Sequence, residues 1–210
     1  MEAAEKVTPF KVLKEIGSWV AWIGGGLLLA LFINNAIIVN AQVISGSMEN
    51  TIMTGDRVFG LRTSYWFREP RRFDVIVFEN PRVGTVYEET GTFRQTVIFV
   101  TNVFRREQNR IILPEPYVKR IIGLPGETIE IRAGYIYIDN ERLEEDIYAR
   151  EPMFSGRDTF GPVTIADGYY FVLGDNRNFS SDSRGWGVLS GDDIIGKIHF
   201  SIFPNFNRMR

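Results

Sequence analysis

The sequence predicts a mainly β protein: an antiparallel β-sheet domain preceded by one N-terminal transmembrane helix. Three observations carry that expectation. Residues 19–39 are almost wholly apolar, the chain beyond residue 40 breaks into short alternating or β-branched runs, and Gly-Asp pairs stand near the ends of several of those runs.

A helix of about 21 residues, rising ~1.5 Å each, covers the hydrocarbon core of a bilayer. Residues 19–39 supply that length, interrupted only by Gly24-Gly25-Gly26 and Asn34-Asn35. Lys6, Lys11 and Lys14 precede the run, and no Lys or Arg follows until Arg57. Basic residues concentrate on cytoplasmic flanks, so residues 1–18 are expected in the cytoplasm and 40–210 outside it. A cleaved secretory signal and a helix buried in a soluble core are the competing readings. The run is long for a signal, and Asn40-Ala41-Gln42 is a poor small-x-small cleavage site.

Alternation and β-branched content mark strands within 41–44, 57–65, 73–78, 96–104, 117–122, 128–138, 169–173 and 194–203. Gly55-Asp56, Gly174-Asp175 and Gly191-Asp192 supply turns, and Arg132-Ala133-Gly134 joins two short strands as a hairpin. Polar stretches near 80–116 and 140–162 read as surface insertions on one substantial domain.

Composition narrows the chemistry. With 24 Lys+Arg, 26 Asp+Glu and a net charge of −2, the chain has no basic stripe for a phosphate backbone, so no nucleic-acid partner is expected. Zero cysteines leave no disulfide, thiolate nucleophile or CxxC zinc site. Neither metal nor organic cofactor is expected.

Serine is a weak nucleophile until a base takes its proton. The one histidine, His199, sits in an ordinary strand-like run, and no Gly-x-Ser-x-Gly elbow exists, so a structural role suits it better than a triad. Lysine can act instead if desolvation pulls its pKa down from about 10.4. Lys119 lies in the alternating run Tyr117-Val118-Lys119-Arg120-Ile121-Ile122-Gly123. Alternation puts Tyr117, Lys119 and Ile121 on one face and Val118, Arg120 and Ile122 on the other. Arg120 stays protonated and cannot be a base; an ion pair behind the site, with a carboxylate such as Asp175, suits it. Ser47, in Ser45-Gly46-Ser47-Met48, follows a short strand just past the membrane helix. Taken singly, Ser47 reads as a turn residue and Lys119 as a solvated edge charge. Together they point to a serine-lysine hydrolase.

Four blocks in order extend that reading: Ser45-Gly46-Ser47-Met48 with Thr51 and Gly55-Asp56-Arg57-Val58; Phe73-Asp74-Val75-Ile76-Val77-Phe78; residues 117–126; and residues 174–187. In these blocks, after an N-terminal anchor, the chain resembles the bacterial type I signal peptidases, membrane-anchored serine endopeptidases with a Ser-Lys dyad. The resemblance implies an antiparallel β catalytic domain of signal-peptidase type, with Ser47 as nucleophile and Lys119 as general base. It implies that Ser45 joins the Ser47 N–H in an oxyanion hole and that Ser180 orients the lysine. Asp182 with Arg184, and Asp175 with Arg120, would be supporting ion pairs. Proline is usual in that family near Ile44 and at Asn50, and a polar residue at Phe179; these departures touch loop rigidity and side-chain preference, not bond making.

The resemblance also implies the partners: signal peptides of exported preproteins, with small residues first and third before the cut, and the lipid bilayer. It places the catalytic domain on the outer face of a bacterial cytoplasmic membrane that the chain crosses once. Val43, Met48, Ile52 and Tyr117 would line the first pocket, and Ala41, Val58, Val77 and Val118 the third-residue pocket; core packing is the competing reading of each. Tyr65-Trp66-Phe67 among Arg62, Arg68, Arg71 and Arg72, and Phe200, Phe203 and Phe206 with Arg208 and Arg210, suit a bilayer interface. Two other classes remain: a self-cleaving repressor-type protease, which would carry a DNA-binding domain instead of an anchor, and a catalytically silent envelope scaffold, which would have lost the dyad.

Overall fold

The computed structural model describes residues 9–79, 116–144, 148–149, 153–202 and 207–209. The expected strand at 96–104 and nearly all of the 80–116 stretch therefore lie outside the described residues. The apolar run becomes helix α1, Pro9–Ala36, which begins and ends earlier than the expected 19–39. Lys11, Lys14 and Glu15 are good helix formers and extend it upstream. Ile38 and Val39, both β-branched, leave it for a strand. Its apolar window has mean hydropathy 2.0 and is wholly uncovered by the rest of the protein, as a lipid-facing helix would be.

The remaining chain is antiparallel β structure. Its strands are β1 (Ile38–Gln42), β2 (Arg57–Leu61), β3 (Val75–Phe78), β4 (Tyr117–Gly123), β5 (Thr128–Arg132), β6 (Tyr135–Ile138), β7 (Glu141–Arg142), β8 (Phe160–Thr164), β9 (Tyr169–Leu173), β10 (Leu189–Ser190), β11 (Ile194–Ile202) and β12 (Asn207–Arg208). The larger sheet has the order β1-β2-β11-β3-β4-β9-β10, with β12 added to β11; the smaller has the order β7-β6-β5-β8. β11 thus lies between β2 and β3 and bonds to both.

Three apolar clusters fix these layers. Val39, Val43, Met48, Ile52, Val58, Val75, Val77 and Ile198 pack together, which brings the β1 end of the large sheet onto its middle strands. Ile129, Ile131, Ile136 and Ile165 from the small sheet and its flank pack with Ile122, Phe171 and Leu173 of the large one. Ile76, Phe78, Ile121, Val172 and Leu189 form the third cluster. Burial of these β-branched and aromatic side chains is the main stabilising contribution, at ~25 cal/mol per Å² of apolar surface.

Most strand expectations agree within a few residues, with two corrections. Residues 62–65 leave the β2 run as a 3₁₀ turn, and the 140–162 stretch is not simply an insertion. It holds β7 and the start of β8, both of which pair into the small sheet. Gly161 and Pro162 hide β8 in the sequence, because proline lacks a ladder donor; β8 tolerates it as an edge strand that, among the described residues, bonds to β5 alone. Asp139 and Asn140, both at positive φ, make the two-residue turn from β6 to β7.

Gly60 is required by close approach. A Cβ there would lie 2.0 Å from Lys197 O, a backbone atom of the paired β11. Gly60→Ala is expected to destabilise the domain by about 3 kcal/mol or more, because two paired strands must separate to admit one methyl. Urea unfolding of the variant against the parent measures it.

Candidate active site

Ser47 sits in a 3₁₀ turn, Gly46–Met48, that follows β1 after a short extended link. Hydrophobic burial of Met48 and Ile52 anchors the turn in the core, and a second loop holds it from outside. Asn176 N donates to Ser47 O at 3.1 Å, and Asn176 Nδ2 donates to Gly46 O at 3.0 Å. A Cβ on Gly174 would meet Ser47 O at 2.4 Å and Ser180 Oγ at 2.3 Å. Only glycine lets the loop after β9 lie this close to the turn.

Lys119 enters from β4, where it pairs across from Ile76. Only 4% of it is exposed, and its Nζ lies 2.7 Å from Ser47 Oγ and 2.9 Å from Val118 O. Desolvation lowers its pKa from 10.5 to about 8, against the opposing pull of the Asp182 and Asp175 carboxylates. No carboxylate contacts it among the described residues. A neutral amine at this distance can take the proton of a serine hydroxyl. Ser45 Oγ stands 3.3 Å from Ser47 Oγ.

Arg120 points the other way. Its Nε donates to Asp175 Oδ1 at 2.8 Å, its Nη2 to Asp175 Oδ2 at 2.6 Å and its Nη1 to Phe73 O at 2.8 Å. Tyr148 covers the guanidinium, 3.8 Å from ring centroid to Cζ. Thr51 Oγ1 donates to the same carboxylate at 2.6 Å, so Asp175 joins β4 to the chain just past the Ser47 turn. Asp182 caps helix α2 (Ser183–Trp186) and accepts Arg184 through two bonds, at 2.8 Å and 2.7 Å. Gly174 N donates to Asp182 at 3.2 Å, and Arg184 Nη2 to Arg177 O at 2.6 Å, closing the loop 174–184 on itself.

Ser180 Oγ is buried with no hydrogen-bond partner among the described residues. It neighbours the Ser47 turn but makes no bond to Lys119. His199 lies on β11, 3.2 Å from Ser64 Oγ.

An open cleft of about 580 Å³ runs to this pair of groups. One wall is residues 41–48, the other 116–119, and Phe179 and Ser181 line the cleft as well. Ala41, Val43, Met48, Tyr117 and Val118 of the expected pocket residues line it. Ile52 and Val58 do not; both are fully buried core residues. Val77 lines a smaller neighbouring pocket with Ala41 and Pro116. Gln42, Ile44 and Pro116 also wall the cleft, and their place beside the two motifs was the available signal. Asn176 and Arg157, which donates to Ser180 O at 2.8 Å, gave none, since loop-to-loop bonds leave no periodicity.

Asn50 has φ +98°, and its Nδ2 donates to Asp175 O at 3.3 Å. Proline, locked near φ −65°, could not occupy that conformation, so this loop is built differently from one with proline there.

Comparisons with known proteins identify the family of the chain. A family model described as "Signal peptidase, peptidase S26" matches residues 16–203. Signal peptidase I S of Bacillus subtilis (strain 168) is 32% identical over 205 residues, covering 94% of each chain. A probable signal peptidase I-1 of Synechocystis sp. is 33% identical over 178 residues, covering 85% of this chain and 78% of that protein. A crystal structure of a signal peptidase I from Enterococcus faecalis V583 aligns at 30% identity and a TM-score of 0.41, over 62% of this chain and 97% of that one. With a family match over residues 16–203, the chain belongs to the peptidase S26 family of signal peptidases.

Proposed function

We propose that this protein is a serine endopeptidase that removes N-terminal signal peptides from exported preproteins at the outer face of a bacterial cytoplasmic membrane, with Ser47 as nucleophile and Lys119 as base. The observation that carries the reading is the 2.7 Å approach of a buried, carboxylate-free lysine amine to a serine hydroxyl at the head of an open cleft.

Neutral Lys119 takes the Ser47 proton as Oγ attacks the scissile carbonyl. Ser45 Oγ and the Ser47 N–H stabilise the oxyanion. The ammonium then returns the proton to the leaving amine, which departs to leave an acyl-serine. Water, deprotonated by the same amine, frees the acid and restores Ser47. Ser180 supplies a hydroxyl to orient the amine: its orphaned Oγ beside the Ser47 turn is a buried polar group that needs a partner. Asp175 with Arg120 and Asp182 with Arg184 hold these groups in place.

The substrate binds as an added strand. Among the described residues β1 bonds only to β2, and in β4 the register with β9 starts at Arg120, so residues 117–119 line the cleft with one edge that no described strand pairs. Backbone bonds to such edges give affinity, and alternate side chains enter pockets. Val43, Met48 and Tyr117 surround the residue before the cut, and Ala41 and Val118 the third before it, apolar walls that suit small side chains.

The anchor and the exposed aromatics support a site at the bilayer. α1 crosses it with the N-terminus in the cytoplasm, a direction favoured by Lys6, Lys11 and Lys14 ahead of the apolar run. Arg62 N donates to Ile37 O at 2.8 Å, which fastens the 62–65 turn to the helix exit. Beyond that turn Trp66 and Phe67 are exposed, Phe67 at 95%, where they can enter the interface. Phe200 instead stacks on Phe59 at 5.6 Å; Phe203, Phe206 and Arg210 lie outside the described residues.

Three outcomes test this reading. Ser47→Ala and Lys119→Met should each lower preprotein cleavage at least ~10³-fold. Lys119→Met should keep or raise the melting temperature, since each pKa unit of depression costs the fold about 1.4 kcal/mol. That cost is full below pH 8, where folding buries the charge, declines between pH 8 and 10.5, where folding releases a proton, and is gone above 10.5. Cleavage rate should climb with pH to a plateau beyond about 8 and fall about tenfold per unit below it; a rate flat down to pH ~5 would exclude a lysine base. Replacing Trp66 and Phe67 with serine should weaken binding of the protein to anionic vesicles in a flotation assay, and unchanged binding would remove them from the interface.

A further inference from the structure

Phe179 and Phe154 are 70% and 56% exposed, yet they are not loose. Their rings meet edge to face, with centroids 6.2 Å apart at 89°. Phe154 N donates to Asn178 Oδ1 at 2.8 Å, and Arg157 Nη1 donates to Ser180 O at 2.8 Å. Asn178 and Ser180 are themselves buried. Two polar clamps thus fasten the segment carrying Phe154 to the loop carrying Phe179, and hold two large rings in water. Fixed apolar surface of this kind marks a place where something binds.

Position identifies the occupant. Both cleft walls run towards the Ser47–Lys119 pair, from Ala41 on one side and Pro116 on the other. On the reading given above, on which this inference rests, the third residue before the cut lies by Ala41 and the last by Val43, farther along. Phe179 and Ser181 line the same cleft but belong to neither of those walls, and their loop grips the Ser47 turn through Asn176, which leaves them to the chain continuing past Ser47. Phe179 therefore borders the polypeptide after the scissile bond, and Phe154 extends that border outward.

We propose that Phe179 and Phe154 form a subsite for apolar side chains in the first two residues after the cut. An aromatic or branched aliphatic side chain there covers two exposed ring faces, while an acidic side chain gains nothing and loses water. The subsite makes this enzyme selective for the beginning of the mature protein as well as for the end of the leader.

The test uses full-length protein in detergent and peptides identical up to the cut, carrying Phe, Leu, Ala or Asp at the second position after it. Wild type is expected to show kcat/KM for Phe over Asp of about three- to tenfold. Phe179→Ser and Phe154→Ser should each bring that ratio close to one, and Phe179→Leu should restore part of it. Equilibrium binding of the same peptides to Ser47→Ala, with and without Phe179→Ser, reads the subsite without any turnover. If wild type cleaves nothing but the Phe peptide still binds Ser47→Ala more tightly in a Phe179-dependent way, the subsite stands and the catalytic reading fails. If cleavage is normal and the Phe-to-Asp ratio is near one, or survives both serine variants, the subsite is wrong. Loss of flotation on anionic vesicles by the serine variants, with the peptide ratio unchanged, would make the pair a lipid contact and overturn the proposal.

Discussion

A guanidinium and a carboxylate, both removed from water, hold the site in register. Arg120 belongs to the strand that carries Lys119, and Asp175 to the loop that grips the Ser47 turn; two bonds of 2.8 Å and 2.6 Å join them. Thr51 adds a third bond to the same carboxylate from just beyond Ser47. Removing one member of such a buried pair typically costs 3–5 kcal/mol, roughly, because the survivor keeps its charge without a partner. Here the damage would reach the 2.7 Å distance between Lys119 and Ser47, which no sequence-local bond maintains.

Two adjacent cations meet opposite fates. Arg120 is satisfied by Asp175 and Phe73 O and capped by Tyr148. Lys119 receives no carboxylate in contact among the described residues: Asp182 is already occupied by Arg184 and Asp175 by Arg120. Desolvation therefore exceeds attraction at Lys119. The supporting ion pairs do more than brace the loop. They keep negative charge engaged elsewhere, so that the lysine can lose its proton near neutral pH.

The β character, the anchor and the paired Ser47 and Lys119 were legible because each depends on local pattern: period two, an apolar run, and a charge out of place in a strand. The helix bounds were not, since helix formers before residue 19 and β-branched residues at 38 and 39 shift both ends without changing the mean apolarity. β8 was hidden by Gly161 and Pro162, which signal a turn locally and are tolerated only because of its edge position. Ile52 and Val58 read as pocket residues because apolar side chains near a nucleophile look alike in sequence whether they face a cleft or a core. Phe179 carried the least signal of all: an exposed aromatic acquires meaning only from what lies beside it.

The strand order has a consequence for when the protein becomes active. Ser47 hangs from the β1-β2 half of the large sheet and Lys119 from the β3-β4 half, and these halves are joined by β11, which follows both in the sequence. A polypeptide emerging N-terminus first has made both reactive groups long before it has made the strand that unites them. A molecule that has not yet formed β11 would thus carry Ser47 and Lys119 on separate pairs of strands. Their 2.7 Å approach waits on a strand that lies between the two halves in the sheet and after both in the chain.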